Sequence, residues 1–171
     1  MQWIIEPLDS THDRAAFSCE EPGLTRYLQS LTLQEPQRLL AGVFVACEPE
    51  TKRVAGYYAL SPFVIGREVL PDGIRRGRGM PRYETYPAFL LGRLARDLAH
   101  RGRRLGEFLL VNALARAVAH AEDIGGIAVV VDTISEKARD FYARFGFTPI
   151  GSGNARLFVT IADVRETLLG L

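Results

Sequence analysis

Ala88-Phe89-Leu90-Leu91-Gly92-Arg93-Leu94-Ala95, then Arg101-Gly102-Arg103-Arg104-Leu105-Gly106, then the long run to about Glu122, is the stretch that organises this chain. The first eight residues, apolar apart from Arg93, predict a strand ending near Asp97. From Leu105 onward, Phe108, Leu109, Asn112, Ala113 and Ala117 recur at helical spacing, and Gly125-Gly126 marks the helix end. Between the two lies a basic turn containing glycine. The first turn of a helix has N–H groups without acceptors and a partial positive charge. A glycine-containing turn lets backbone donors approach a phosphate closely. Arg101, Arg103 and Arg104 add full charges at that point. Residues 101–106 therefore suit a pyrophosphate. They are not a Walker loop, because the lysine and Ser/Thr of that motif are missing. An ordinary strand-to-helix turn with a basic surface has the same features, and the turn alone does not separate the two readings.

Upstream of this unit, Trp3-Ile4-Ile5 predicts a first strand and two helices follow. Ser10 or Thr11 is a candidate cap for the first helix, and Pro22-Gly23 opens the second, where Leu24, Leu28 and Leu31 share one face. Val43 to Ala46 and Val54 to Leu60 read as strands joined by a turn at Pro49-Glu50-Thr51-Lys52. Residues 66–87 are rich in glycine and proline and predict an irregular segment, but apolar sequence resumes on both sides, so no domain boundary is placed there. Downstream, the β-branched run Ile127 to Val131 predicts a buried central strand. Ser135 to Phe145 predicts a helix capped by Ser135 and stopped by Gly146, and Leu157 to Ile161 predicts a late strand. The expected fold is a single α/β domain over residues 1–171, built around one sheet.

The bulk numbers exclude several classes. A chain of 171 residues with 47% hydrophobic and 24% charged residues can build its own core without a staple. No apolar run approaches the length of a membrane span. The start, MQWIIEPLDS, lacks the basic and apolar regions of a secretory signal, so a cytoplasmic protein is expected. Cys19 and Cys47 read as small core residues. With no Cys-x-x-Cys or His-x-x-x-His pair, no metal site is expected.

Net charge is only +1, yet residues 67–104 hold ten arginines against four acids, a local +6. Arginine's rigid fork of donors suits phosphate. Those at 75, 76, 78, 82 and 93 lie outside the proposed cradle, which makes them candidate nucleic-acid contacts, with Tyr83 and Tyr86 as candidate stacking partners. A solvated basic loop, with the tyrosines packing it onto the sheet, is the alternative.

A second motif lies at Ser135-Glu136-Lys137-Ala138-Arg139-Asp140-Phe141-Tyr142-Ala143-Arg144-Phe145-Gly146-Phe147. Phe141 and Phe145, at i and i+4, are expected to face inward. Tyr142, one position off that stripe, is expected to turn its hydroxyl toward a cleft, although a lone helical tyrosine is more often a packing residue.

The two motifs together resemble the acetyl-coenzyme A site of the GNAT superfamily. Arg101 to Gly106 occupies its Arg/Gln-x-x-Gly-x-Gly/Ala motif, with Arg104 at the central glycine position. Ser135, Ala138, Tyr142 and Gly146-Phe147 follow its Asn-x-x-Ala-x-x-x-Tyr…Gly-Phe pattern, with Ser135 in place of asparagine. Further stretches are similar to one branch, the GNAT-type toxins of bacterial type II toxin–antitoxin systems. These include Phe17-Ser18-Cys19, Leu24-Thr25-Arg26-Tyr27-Leu28, Gly56-Tyr57-Tyr58-Ala59-Leu60-Ser61, Leu91-Gly92-Arg93-Leu94-Ala95 and Arg156-Leu157-Phe158.

The resemblance implies a mixed, mostly antiparallel central sheet flanked by helices. It implies an acetyl-coenzyme A-dependent N-acetyltransferase acting on the α-amino group of aminoacyl-tRNA and so blocking translation. It implies a ribbon-helix-helix antitoxin as partner and allows a homodimer. By the same resemblance, Leu94, Ala95 and Arg96 polarise the thioester carbonyl, Arg101, Gly102, Arg103, Arg104, Leu105 and Gly106 with Ser135 hold the cofactor, and Tyr142 protonates the departing thiolate. Two other functions share these motifs: a GNAT enzyme for a small amine or protein amine, and a non-catalytic GNAT-fold binding module in which Arg104 marks a degraded loop.

Overall fold

In chain order the computed structural model runs β1 (Ile4–Pro7), α1 (Pro22–Arg26), α2 (Gln34–Gln37), β2 (Gly42–Cys47), β3 (Val54–Gly66), α3 (Asp72–Arg75), β4 (Thr85–Arg96), α4 (Leu105–Ile124), β5 (Ala128–Asp132), α5 (Glu136–Ala143), β6 (Thr148–Pro149), β7 (Arg156–Thr160) and α6 (Ile161–Leu169). It describes residues 3–31 and 34–169. The strands form one seven-stranded sheet in the order β1-β2-β3-β4-β5-β7-β6. β1 with β2, β2 with β3, β5 with β7 and β6 with β7 pair antiparallel, whereas β4 and β5 pair parallel at Phe89↔Val129 and Leu90↔Val130. This is the expected mixed α/β fold, mostly antiparallel and flanked by helices.

The chain falls into two compact units, residues up to 61 with 92–113, and residues 62–91 with those from 114 on. The first is built around aromatic packing. Tyr57, fully buried, lies 5.6 Å from the Phe17 ring and 5.9 Å from the Tyr27 ring, and its hydroxyl donates to the Leu24 carbonyl at 2.8 Å. A buried phenol needs such an acceptor, because an unpaired hydroxyl in an apolar core is costly. Leu28 is fully buried and Leu24 packs against the same cluster, as the helical spacing predicts; the side chain of Leu31 lies outside the described residues. After α1 the chain continues through one π-helical turn, Tyr27–Leu31.

The first expected helix does not form. Residues 8–21 are loop with turns and bends and one isolated bridge, Asp13 to Arg53. The Asp9 carboxylate takes the Thr11 N–H at 2.8 Å and the Thr11 hydroxyl at 2.6 Å, and the Asp13 carboxylate takes the Ala15 N–H at 3.1 Å. These local side-chain acceptors compete with helical carbonyls for the same donors, so the residues that signal a helix cap build turns here instead.

The second unit is centred on β5, whose Ala128, Val129 and Val130 are fully buried, as the β-branched run predicts. The glycine stop before it is obligatory. Gly125 has φ +88°, Gly126 has φ +146°, and a Cβ on Gly126 would meet the Phe89 ring at 2.4 Å. β3 runs to Gly66, beyond its expected end at Leu60. The irregular segment that follows contains only the one-turn α3 and a 3-10 turn, Arg67–Val69. The short β6 and the terminal α6 are not anticipated by the periodicity. Among the described residues no helix is long and apolar enough to cross a membrane.

Candidate functional site

In the first unit, β4 carries Leu94 and Arg96 half-buried and Ala95 buried. The chain leaves β4 through Asp97, a buried carboxylate with three roles in the turn. Its N–H donates to the Ala55 carbonyl at 2.7 Å, its Oδ2 accepts from the Ser18 N–H at 2.8 Å, and its Oδ1 accepts from the Ala99 N–H at 2.8 Å. Asp97 thus caps the 3-10 turn Leu98–His100 and sets where the basic segment begins. Sequence reading misses this role, because Ser18 is 79 residues away in the chain.

Residues 101–104 are exposed, and Leu105 behind them is fully buried, so the loop is anchored at its helix end and open in front. Gly102 has φ +78°, and nothing lies within 4 Å of the point where a Cβ would stand, which leaves room for an anion at the backbone. Arg104 has φ +58°. The arginine that replaces the motif's glycine therefore adopts the left-handed conformation that glycine favours, and the turn keeps its shape at a cost of about 1–2 kcal/mol. Its guanidinium reaches Glu107, one turn into α4, with Nε 2.8 Å from Oε2. With the unpaired N–H groups at the start of the 20-residue α4, these residues fit a pyrophosphate-bearing cofactor.

Arg104→Gly tests this geometry. Relief of the left-handed strain exceeds the extra unfolded-state freedom of glycine, about 0.5–1 kcal/mol, so the variant should be more stable by about 0.5–1 kcal/mol in thermal or urea unfolding. If this turn holds a pyrophosphate, as the motif's resemblance implies, calorimetric titration with acetyl-coenzyme A should show weaker binding, because the turn has lost one cation. A variant that loses stability would mean that the Arg104–Glu107 pair, rather than backbone strain, dominates at this position.

Other predicted residues of this unit are already engaged. Arg96 Nη2 lies 3.4 Å from Glu20 Oε1, while its Nη1 is buried without a hydrogen-bond partner. The Arg93 guanidinium covers the Tyr27 ring at 3.6 Å, a cation–π contact inside the first unit. Arg93 is thus a packing residue there, whereas the arginines at 75–82 belong to the second unit.

In the second unit, Arg75, Arg76 and Arg82 line a cleft of about 770 Å³ with Gly66, Arg67, Glu68, Tyr83, Glu84 and Thr85. Arg78 is not among the lining residues. Arg75 pairs with Asp72, one turn back on α3, and Arg76 Nη2 lies 3.9 Å from the same carboxylate. Arg67 joins the cleft with its Nε buried and lacking a hydrogen-bond partner; its place in the basic stretch was the available signal. The two tyrosines divide. Tyr86 is buried, donates to the Pro81 carbonyl and holds the loop on the sheet, whereas Tyr83 is 62% exposed at the cleft.

Ser135 caps α5 as predicted, its Oγ accepting the Ala138 N–H at 3.1 Å. The aromatic stripe of α5 is rotated from expectation. Tyr142 is buried and contacts the Phe147 ring at 5.3 Å, whereas Phe141 and Phe145 are half-exposed. One residue is 100° of helix rotation, and the pull of buried Phe147 decides which aromatic turns in. Burial raises the Tyr142 hydroxyl well above the ordinary tyrosine value.

No family model matches the chain. A tRNA-acetylating toxin of Mycobacterium tuberculosis is 34% identical over 161 residues, covering 94% of this chain and 93% of its own length. The chain belongs to the GNAT-type toxin family. Among solved structures of that family, AtaT complexed with acetyl-methionyl-tRNAfMet superposes with a TM-score of 0.89 at 26% identity, over 99% of this chain and all of its own. AtaTR bound with acetyl-coenzyme A superposes with a TM-score of 0.81 at 25% identity, over 99% of this chain and 98% of its own. Membership in the GNAT-type toxins also fits the fold, with β4 leading through a basic turn into α4.

Proposed function

We propose that this chain transfers an acetyl group from acetyl-coenzyme A to the α-amino group of aminoacyl-tRNA, blocking translation, and that residues 1–171 act as one acetyltransferase domain. The observation that carries the reading is the left-handed, arginine-rich turn at Gly102 and Arg104 ahead of α4, in a chain 34% identical to a tRNA-acetylating toxin. Bound there, the cofactor supplies an activated acetyl thioester.

The chain's own residues do the rest. Arg101 to Gly106 grip phosphate through backbone N–H groups and guanidinium charge, and Ser135 extends the cofactor contacts. Backbone N–H groups of Leu94, Ala95 and Arg96 polarise the thioester carbonyl. Tyr142 keeps its proton across neutral pH and donates it to the leaving sulfur. No enzyme nucleophile is required, because the acceptor amine attacks directly. An α-amino group titrates near pH 7.7–8.0, so a usable neutral fraction exists without a strong base, and the rate should climb as pH rises through that range. Arg75, Arg76, Arg78 and Arg82 hold the acceptor stem by its phosphates, with Arg67 added to them by its place in the cleft.

The partner we infer is an antitoxin of the ribbon-helix-helix class, the compartment the cytoplasm, and the assembly a homodimer. Incubation with acetyl-coenzyme A and a total charged tRNA pool, followed by mass spectrometry of the released aminoacyl groups, tests the reaction. Acetylated amino acids on tRNA are the expected product. Transfer to free amines or protein amines but not to tRNA would support the small-amine or protein-amine enzyme, and no heat on titration with acetyl-coenzyme A would leave a non-catalytic binding module.

A further inference from the structure

Three metal-ligand side chains that are scattered in the sequence meet in the first unit. Glu6 on β1, His12 in the loop after it and Cys47 at the end of β2 offer ligand atoms that all lie within 4.8 Å of one another. The His12 side chain and Cys47 are fully shielded from solvent. Both point at one oxygen. His12 Nε2 lies 2.9 Å, and Cys47 Sγ 3.6 Å, from Glu6 Oε1. Tetrahedral zinc bonds of 2.0–2.3 Å place neighbouring ligand atoms about 3.3–3.7 Å apart, so small side-chain shifts suffice.

Two further features fit a cation. The other ring nitrogen, His12 Nδ1, accepts the Asp9 N–H at 3.1 Å and is also 3.0 Å from Asp9 Oδ1. A carboxylate behind a histidine is the usual outer partner of a metal ligand, fixing its tautomer and orientation. The Lys52 ammonium also contacts Glu6 Oε1, from a turn residue whose side chain is 35% exposed. A positive charge therefore already sits on the carboxylate, on a side chain that can swing out to water.

We propose that Glu6, His12 and Cys47 form a three-ligand site for a zinc-class divalent cation, whose place the Lys52 ammonium takes in the metal-free protein. On binding, Lys52 leaves Glu6, the thiol proton passes to water, and the imidazole proton moves to Nδ1, which gives up the Asp9 N–H and donates to the Asp9 carboxylate instead. The cation would bind Glu6 Oε1, His12 Nε2 and the Cys47 thiolate, with a water as fourth ligand. It pins the loop after β1 to the β1–β2 pair. The far end of that loop braces the cofactor turn, because Ser18 accepts the Leu98 N–H at 2.9 Å and donates to Asp97 at 2.8 Å.

Titrating the metal-free full chain with cobalt(II) tests the site. The expected result is one equivalent bound, with a near-ultraviolet thiolate-to-cobalt band and tetrahedral visible bands, all removed by zinc. Cys47→Ser should abolish the near-ultraviolet band and Cys19→Ser should keep it. Lys52→Met should bind cobalt at least tenfold more tightly, since the competing ammonium is gone. This substitution of a half-buried turn residue decides the matter even where Cys47→Ser fails to fold. Absence of the thiolate band at one equivalent of cobalt, its loss in Cys19→Ser, or unchanged affinity in Lys52→Met would overturn the proposal.

Discussion

Tyr142→Phe is expected to slow acetyl transfer by roughly 10²–10⁴-fold, the usual worth of a positioned proton donor. The phenylalanine keeps the ring that packs on Phe147, so the far-ultraviolet spectrum, unfolding midpoint and acetyl-coenzyme A affinity should stay close to those of the unaltered chain. Single-turnover measurements with saturating cofactor separate the chemical step from binding. The pH profile adds a second check. Burial raises the Tyr142 hydroxyl, so it remains protonated through the ordinary tyrosine range near pH 10. A folded value above the unfolded one contributes stability that is present below the unfolded value and lost as pH climbs through the folded one. Tyr142 should therefore favour alkaline unfolding without producing a loss of activity between pH 7 and 9. Unchanged turnover in Tyr142→Phe would assign the proton to water or another group and leave the residue a packing role only.

Joint replacement of Arg75, Arg76 and Arg82 with alanine is expected to flatten the salt dependence of tRNA binding. Each lost phosphate contact removes about 0.7–0.9 from the log–log slope, so three remove about 2–3. Acetylation of charged tRNA should fall steeply at physiological salt, while acetyl-coenzyme A affinity holds, because none of the three is in the turn at 101–106. Arg78 and Arg93 serve as comparisons. Arg78 does not line the cleft, and the Arg93 guanidinium is spent on the Tyr27 ring, so replacing Arg78 should change the slope less. Replacing Arg93 should lower stability more than tRNA affinity, by roughly 0.5–2 kcal/mol for a lost cation–π contact. A triple variant that acetylates charged tRNA normally would make the cleft a solvated loop or an antitoxin-docking surface.

Local signals in the sequence determined much of the frame. The β-branched run at 127–131, the glycine pair at 125–126 and the Ser135 cap act within a few residues, and each appears where it was expected. The left-handed turn ahead of α4 was legible for the same reason, since glycine conformation and helix ends are properties of a short segment. Arg104 belongs to both levels. Its identity is sequence, but only the folded turn reveals that it takes the left-handed backbone of the glycine it replaces.

Tertiary structure decided whatever depends on distant neighbours. Residues 8–21 carry helix-cap chemistry yet make turns, and the chain there is held by Asp97 from another part of the sequence. The inward face of the short α5 was set by Phe147 rather than by its own i, i+4 aromatic pair, which moved Tyr142 into the core. Arg93 settled on Tyr27 because a side-chain partner, not charge density, determines where its guanidinium points, and Arg67 lines the basic cleft because it follows directly on the end of β3. Glu6, His12 and Cys47 share no motif spacing; the β1–β2 register sets Glu6 opposite Val45 and Cys47 opposite Ile4, so Glu6 and Cys47 meet diagonally across the two strands. The physical divide is range: backbone propensity and capping act over a few residues, whereas burial, ion pairing and ligand convergence act only after the chain has folded back on itself.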